Sequence, residues 1–361
     1  MGRGTRVMSI WECKVHDLDA REVRSVMGNE ENKNLTIADI AQALGVSKTT
    51  VSRAISGKGR IGIATRDRVL KYIEEHDYKP NVIAKGLAQS KTYNLCVVMP
   101  ADYAVVDLTF FQECLLGIQE IAGLMEYDIL LSICKNDDIT SLERIVMNHK
   151  VDGVILMRTF VEDKPVEYLQ AKSIPFVTIG SSVYENVIQV DHNHKSACKE
   201  LTSIILMKGM KRIALIGGDE NHVVTQNRLR GFREAYEKMN ELVDPTLLYL
   251  NLDNNVVIDR TVEEVLERKA DCILCMDDAI CSRVLKKLRE KHISVPKDIR
   301  VASFYNSMVL DNNVPSITSL EFNSKELGMV ACKTLLDLIE GIQVETRTLL
   351  PYEVVLKEST K

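Results

Sequence analysis

Residues 36–53 read TIADIAQALGVSKTTVSR, and no other stretch constrains the fold as tightly. Ile37, Ile40, Ala41 and Leu44 recur at helical spacing, which predicts one amphipathic helix. Gly45 ends it, because a tight turn between helices needs a positive φ that costs glycine little. Ser47 then caps a second helix that turns Val51 and Ile55 inward, and Ala41 is small enough to let the two helices cross closely. Helices joined in this way form a helix-turn-helix, whose second helix is built to enter the major groove of DNA. Its outward residues are Lys48, Thr49, Ser52 and Arg53. On this reading Lys48, Thr49 and Arg53 read bases, while Ser47 and Thr50 meet phosphates. Arg53 suits guanine best, since its fork can bond O6 and N7 together. An α-hairpin in an ordinary core would share the pattern, so the next forty residues decide.

A third helix is expected, capped by Thr65 and packing Val69, Leu70 and Ile73. After it YKPNVIAKGLAQSK, residues 78–91, sets Asn81, Ala84 and Leu87 on one helical face. Gly86 weakens that short helix, so it is expected to order only on its target. The TIADIAQALGVSKTTVSRAI run, the YKPN-x-x-A-x-x-L run and the R-x-x-G-F of Arg228 to Phe232 together resemble the LacI/GalR family of transcriptional regulators. The resemblance covers roughly residues 35–361. It implies a sequence-specific DNA-binding regulator, a repressor, controlled by a small-molecule effector held between two lobes. It also implies a homodimer on a near-palindromic double-stranded operator, with Asn81, Ala84 and Leu87 joining the DNA contact. Leu87 from each subunit would wedge into the minor groove and kink the duplex.

Charge agrees with that division. The chain carries −5 in total, which alone argues against nucleic acid. Residues 35–91, however, hold ten Lys/Arg against five Asp/Glu, a local +5 that leaves −10 for the rest. A basic headpiece on an acidic body concentrates phosphate attraction in one module. The chain has no apolar run long enough to span a membrane and no secretory apolar region, and its nine cysteines lack framework spacing. A cytoplasmic protein at the bacterial nucleoid is expected, without membrane contact. Cys272 and Cys275 form a C-x-x-C within an apolar strand, where residues three apart face opposite ways and cannot share a metal. His192 and His194 are too few for a metal site, and Asp191 is read as a helix cap. Neither metal nor cofactor is expected.

Residues 1–34 are an extension or linker, with Met27 an alternative start. The headpiece is expected over residues 35–80, and a hinge helix and linker over 81–91. From residue 92 short apolar runs alternate with amphipathic helices. The strand candidates are NLCVVM, YDILLS, VDGVIL and PFVTI, then RIALIG, TLLYLNL, DCILCM and IRVASF. Helices are expected over Phe111 to Met125 and Arg228 to Lys238. Such alternation implies an α/β body of two doubly wound parallel sheets, like a periplasmic binding protein, with a ligand cleft at the strands' carboxyl ends. The family resemblance adds the crossings: lobe one over about 92–191 and 322–342, lobe two over about 192–321 and 343–361. The chain ends soon after LLPYEVVL without heptads, so a dimer without a coiled-coil tail is expected.

The resemblance also carries pocket residues across. Phe110 and Phe111 match an aromatic pair that stacks on ligand, and Arg228 matches the arginine that grips hydroxyls or carboxylates. Met276-Asp277 stands where relatives have Asn-Asp, and Tyr305-Asn306 where relatives usually have Asp-Asp. Gly180 stands where some sugar-responsive relatives place Asp. These departures point to an effector with less hydroxyl demand than a hexose, or one with an anionic or apolar group.

No catalytic residues are assigned, because no nucleophile, base and orienting group assemble, and no P-loop or G-x-G-x-x-G is present. A DNA-binding regulator governed by a protein co-regulator, or by no ligand, is the alternative. A solute-binding protein is a remoter one, since it would need a signal peptide and no headpiece.

Overall fold

The computed structural model describes residues 35–57, 59–78, 86, 89–101, 109–252 and 254–361. The chain divides into two compact units, one ending at Lys85 and one starting at Gly86.

Among its described residues the first unit holds three short helices, α1 (Ile37–Leu44), α2 (Lys48–Ser56) and α3 (Ile63–Glu75). Thr36 and Asp39 form a reciprocal capping box at the start of α1, satisfying two of the amides that a helix N-terminus leaves open. Gly45 closes α1 at φ +63°. Ser47 caps α2 by accepting from the Thr50 amide at 3.1 Å. Ile40, Ala41, Val51, Ala54, Val69 and Tyr78 make the core. Arg68 Nη2 donates to the Leu44 carbonyl at 2.8 Å, tying α3 to the end of α1. Two details of the third helix differ from expectation. It starts at Ile63 after Gly62 without a side-chain cap, so Thr65 lies inside the first turn. Leu70 is exposed, because the buried stripe through Val69 and Ile73 leaves its neighbour on the outer face.

The second unit contains two six-stranded sheets. In chain order its elements are β1 (Asn94–Pro100), α4 (Thr109–Leu124), β2 (Asp128–Cys134), α5 (Thr140–Met147), β3 (Gly153–Leu156), α6 (Lys164–Ala171), β4 (Phe176–Ile179) and β5 (Ile188–His192). Then come α7 (His194–Met207), β6 (Ile213–Ile216), α8 (Val223–Lys238), β7 (Leu248–Tyr249), α9 (Asn255–Glu267), β8 (Cys272–Cys275), α10 (Asp278–Glu290) and β9 (Arg300–Ser303). The chain finishes with α11 (Met308–Asp311), β10 (Thr318–Glu321), α12 (Ser324–Ile339), β11 (Arg347–Leu350) and β12 (Glu353–Val355).

One sheet runs β11-β5-β4-β3-β1-β2, the other β12-β10-β9-β8-β6-β7. All pairings are parallel except β10 with β12. The chain passes between lobes after β5, after β10 and between β11 and β12. The last crossing lies later than expected. LLPYEVVL is not one strand of the second lobe: Pro351 has no amide to donate, and the run breaks there into β11 on the first sheet and β12 on the second. Sequence reasoning also missed β5 and β10, gave β7 too many residues, and started α8 five residues late.

Each sheet is covered on both faces. Along β8, Cys272 and Leu274 face one core cluster while Ile273 and Cys275 face the other, so the C-x-x-C thiols do point apart. Helices α4 and α12 cross at Gly117 and Gly328, where a Cβ on either would collide with the carbonyl of Lys325 or Cys114 respectively. Among the described residues no helix is long and apolar enough to cross a membrane.

Candidate nucleic-acid interface and ligand cleft

On the headpiece, Lys48, Thr49, Ser52 and Arg53 form an exposed polar face along α2, opposite buried Val51 and Ala54. No acidic residue lies on this helix, so the face is electropositive. The Ser47 hydroxyl is shared with Thr50 Oγ1 at 2.8 Å, which fixes both side chains at the helix N-terminus, where amide dipoles favour phosphate. Asn81, Ala84 and Leu87 lie outside the described residues.

The cleft of the body sits at the carboxyl ends of strands from both sheets, a cavity of about 150 Å³, room for several waters or a small molecule. Its aromatic walls are Phe110 and Phe111 from the first turn of α4 and Tyr305 after β9. Phe110 meets Tyr305 edge to face at 5.9 Å across the lobes. Tyr305 hydroxyl and Ser324 Oγ lie 3.0 Å apart, a second link between lobes, since Ser324 opens α12. At the mouth the backbones join directly: Val161 N donates to Asn221 O at 2.8 Å, and Val223 N to Thr159 O at 3.2 Å.

Arg228 is the electrostatic centre. Its Nη1 donates to the Met276 carbonyl at 2.5 Å, while its Nε is buried without a partner among the described residues. Three carboxyls surround it. Burial raises the Asp191 carboxyl, opposed by donation from Ser181 Oγ at 2.7 Å and from the Ser181 and His192 amides, both at 2.8 Å, with Arg228 also favouring the charge. Burial likewise raises Asp277, which caps α10 through the Ile280 amide at 2.8 Å, and Asp278, which Ser307 and Arg228 partly offset. His194 is held neutral by burial first and by Arg228 second. Arg158 lies over the Phe111 ring, its guanidinium carbon 5.5 Å from the centroid.

The comparisons with known proteins divide the chain along the same lines. Residues 36–81 match the family described as bacterial regulatory proteins, lacI family. Residues 204–360 match the periplasmic binding protein-like domain. The chain thus joins a LacI-family DNA-binding domain to a periplasmic binding protein-like domain. Catabolite control protein A of Staphylococcus xylosus is 26% identical over 333 residues, 91% of this chain and 99% of that protein. The HTH-type transcriptional regulator MalR of Streptococcus pneumoniae is 28% identical over 344 residues, covering 90% and 99% respectively. Among solved structures, the complex of the transcriptional regulator CelR with cellobiose superposes with a TM-score of 0.69 at 26% identity, covering 90% of this chain and 99% of that one. With these two domains the chain is a DNA-binding transcriptional regulator with a ligand-binding body.

Set against the family pattern, the cleft gathers Phe110, Phe111, Arg228, Met276, Asp277 and Tyr305, and leaves one residue out. Asn306 is turned away, its amide donating to both carboxylate oxygens of Asp311 at 3.2 Å. Glu234, on the same helix as Arg228, pairs with Lys195 and Lys199. Asp191 does not cap the next helix; that task falls to Asn193, which accepts from the Ser196 amide at 3.1 Å. The sequence reading passed over Asp191, His194, Asp278 and Arg158 as ligand-facing groups. The available signal was position, since Asp191 lies in the last two residues of β5 and the other three follow a strand's carboxyl end.

Proposed function

We propose that the chain represses transcription by binding a near-palindromic operator as a homodimer, and that a small neutral polyhydroxylated molecule in the cleft sets its DNA affinity. The observation that carries this is the Arg228 cluster. An unpartnered buried guanidinium N–H amid Asp191, Asp277 and Asp278, walled by Phe110, Phe111 and Tyr305, offers donors, acceptors and flat apolar surface together. Sugar rings need all three: hydroxyls that pair both ways and C–H faces that pack on aromatics. The acceptors that Tyr305 and Asn306 take from the family pattern are returned by Asp191 and Asp278, so a hydroxyl-rich ligand suits the cleft better than the sequence departures implied. Three carboxyls beside two arginines make an anionic ligand less favourable. Relatives fit this reading, since CelR is described in complex with cellobiose.

Direct contacts between lobes supply the coupling. The Phe110–Tyr305 pair, the Tyr305–Ser324 hydrogen bond and the mouth bridge all depend on how the lobes meet, so a ligand filling the cleft changes their balance. Thermal-shift screening of the full chain against mono- and disaccharides tests the ligand class, because a cleft ligand raises the melting temperature by mass action. Stabilisation by a neutral sugar that Arg228→Ala abolishes supports it. Stabilisation only by organic acids, or by a partner protein and no small molecule, contradicts it.

A further inference from the structure

Beside the cleft lies a second opening of the body, a groove of about 480 Å³ continuous with a smaller recess of about 120 Å³. Ser181, Asn227, Arg230 and Arg347 line both. His194 stands in the wall common to the recess and the cleft.

Three features set it apart from ordinary surface. It is bridged from both lobes by exposed guanidiniums, Arg347 on β11 and Arg230 on α8, neither of which forms an ion pair among the described residues. Among the described residues no carboxylate lines it, although the body as a whole is acidic. Lys195 adds a cation at the rim, largely balanced by Glu234 at 3.2 Å.

Two buried imidazoles belong to the recess wall, and each has a nitrogen without a hydrogen-bond partner among the described residues, His192 Nε2 and His194 Nδ1. His192 Nδ1 lies 3.0 Å from the Pro351 carbonyl. A carbonyl only accepts, so Nδ1 carries the proton and Nε2 presents a lone pair. His194 Nε2 lies 3.5 Å from Asp191 Oδ1, and a carboxyl that already accepts three donors favours the proton on Nε2 and the lone pair on Nδ1. Burial favours the neutral form of both rings. Buried acceptors without donors are costly and uncommon.

We infer that this groove is a second small-molecule site, for a phosphorylated polyol, with Arg230 and Arg347 on the phosphate and the two imidazole lone pairs receiving hydroxyl protons. Guanidinium forks match phosphate oxygens, and the groove volume lies in the range of ligand sites. Because the two arginines come from different lobes, the phosphate would clamp the same lobe arrangement on which the cleft depends.

Titration calorimetry on the full chain tests this with glycerol 3-phosphate, inorganic phosphate and glycerol as probes. Glycerol 3-phosphate should bind saturably, once per chain and tighter than inorganic phosphate, and glycerol should give no heat. Arg230→Gln and Arg347→Gln are exposed changes, and each should weaken glycerol 3-phosphate by about tenfold or more, the loss of a charged hydrogen bond. Absence of saturable binding overturns the site. Unchanged affinity in both variants also overturns it, placing the phosphate on the headpiece or in the main cleft. Equal affinity for phosphate and glycerol 3-phosphate overturns the hydroxyl assignment.

Discussion

Arg228 Nη1 donates to the carbonyl of Met276 at 2.5 Å, so α8 is pinned to the end of β8 where the cleft floor begins. The same guanidinium favours the charged form of Asp191, Asp277 and Asp278, all three raised by burial. Arg228→Ala should therefore lower the body's melting temperature most at neutral pH. The deficit should shrink as the pH falls and the three carboxyls take up protons, since their repulsion then disappears. Arg228→Lys should not restore ligand response, because one ammonium cannot both hold the carbonyl and keep a second donor fixed in the cleft. A pH-independent deficit would show that these acids do not depend on Arg228.

A second pH effect arises at Asp163, which caps α6 and is buried. It accepts from Phe160 N at 2.9 Å and Val166 N at 3.1 Å. Burial raises its carboxyl from 3.8 to about 6. The folded state thus binds this proton more tightly than the unfolded state. Its contribution is fully present below the unfolded value and is lost as pH rises through about 6. Urea midpoints measured across that interval should fall with rising pH in the wild type and less so in Asp163→Asn. Parallel profiles would remove Asp163 from the account.

The helix crossing in the first lobe gives a packing prediction. A methyl group at Gly117 or Gly328 runs into backbone of the facing helix, which cannot rotate aside as a side chain can. Gly117→Ala or Gly328→Ala should each cost about 1–3 kcal/mol or more, visible as a lower urea midpoint with an unchanged slope. A midpoint equal to wild type would mean that the helices separate without penalty.

Arg53→Ala should reduce specific DNA affinity by about 1–3 kcal/mol and relax preference at one base pair per half-site. Competition between matched and single-substituted duplexes measures it. Equal weakening on specific and non-specific DNA would make Arg53 a phosphate contact instead.

What the residues disclosed in advance follows the range of the interactions involved. The headpiece was legible because its determinants are local: Ser47 caps the helix that begins at the next residue, Gly45 alone sets the turn, and the apolar stripe falls within forty residues. The alternating sheets were legible for the same reason. Most of the cleft chemistry was less so. Asp191, His194, Asp278 and Arg158 meet only after strands distant in sequence align their carboxyl ends. A short polar strand such as β5 carries almost no periodic signal, which is why Asp191 resembled a cap. The break at Pro351 could have been read from its missing amide, since a strand interior rarely holds proline.

The central claim is that the headpiece reads a specific DNA site under control of the cleft. The most direct measurement is equilibrium anisotropy of the full chain on a duplex selected from a random pool, with and without a sugar that stabilises the protein. We expect a near-palindromic site bound by two chains, with affinity shifted by the sugar within the usual coupling range of about 5- to 150-fold. The shift should vanish in Arg228→Ala while that variant keeps its DNA affinity. Selection of no preferred sequence, or an affinity unmoved by saturating sugar, would contradict the account.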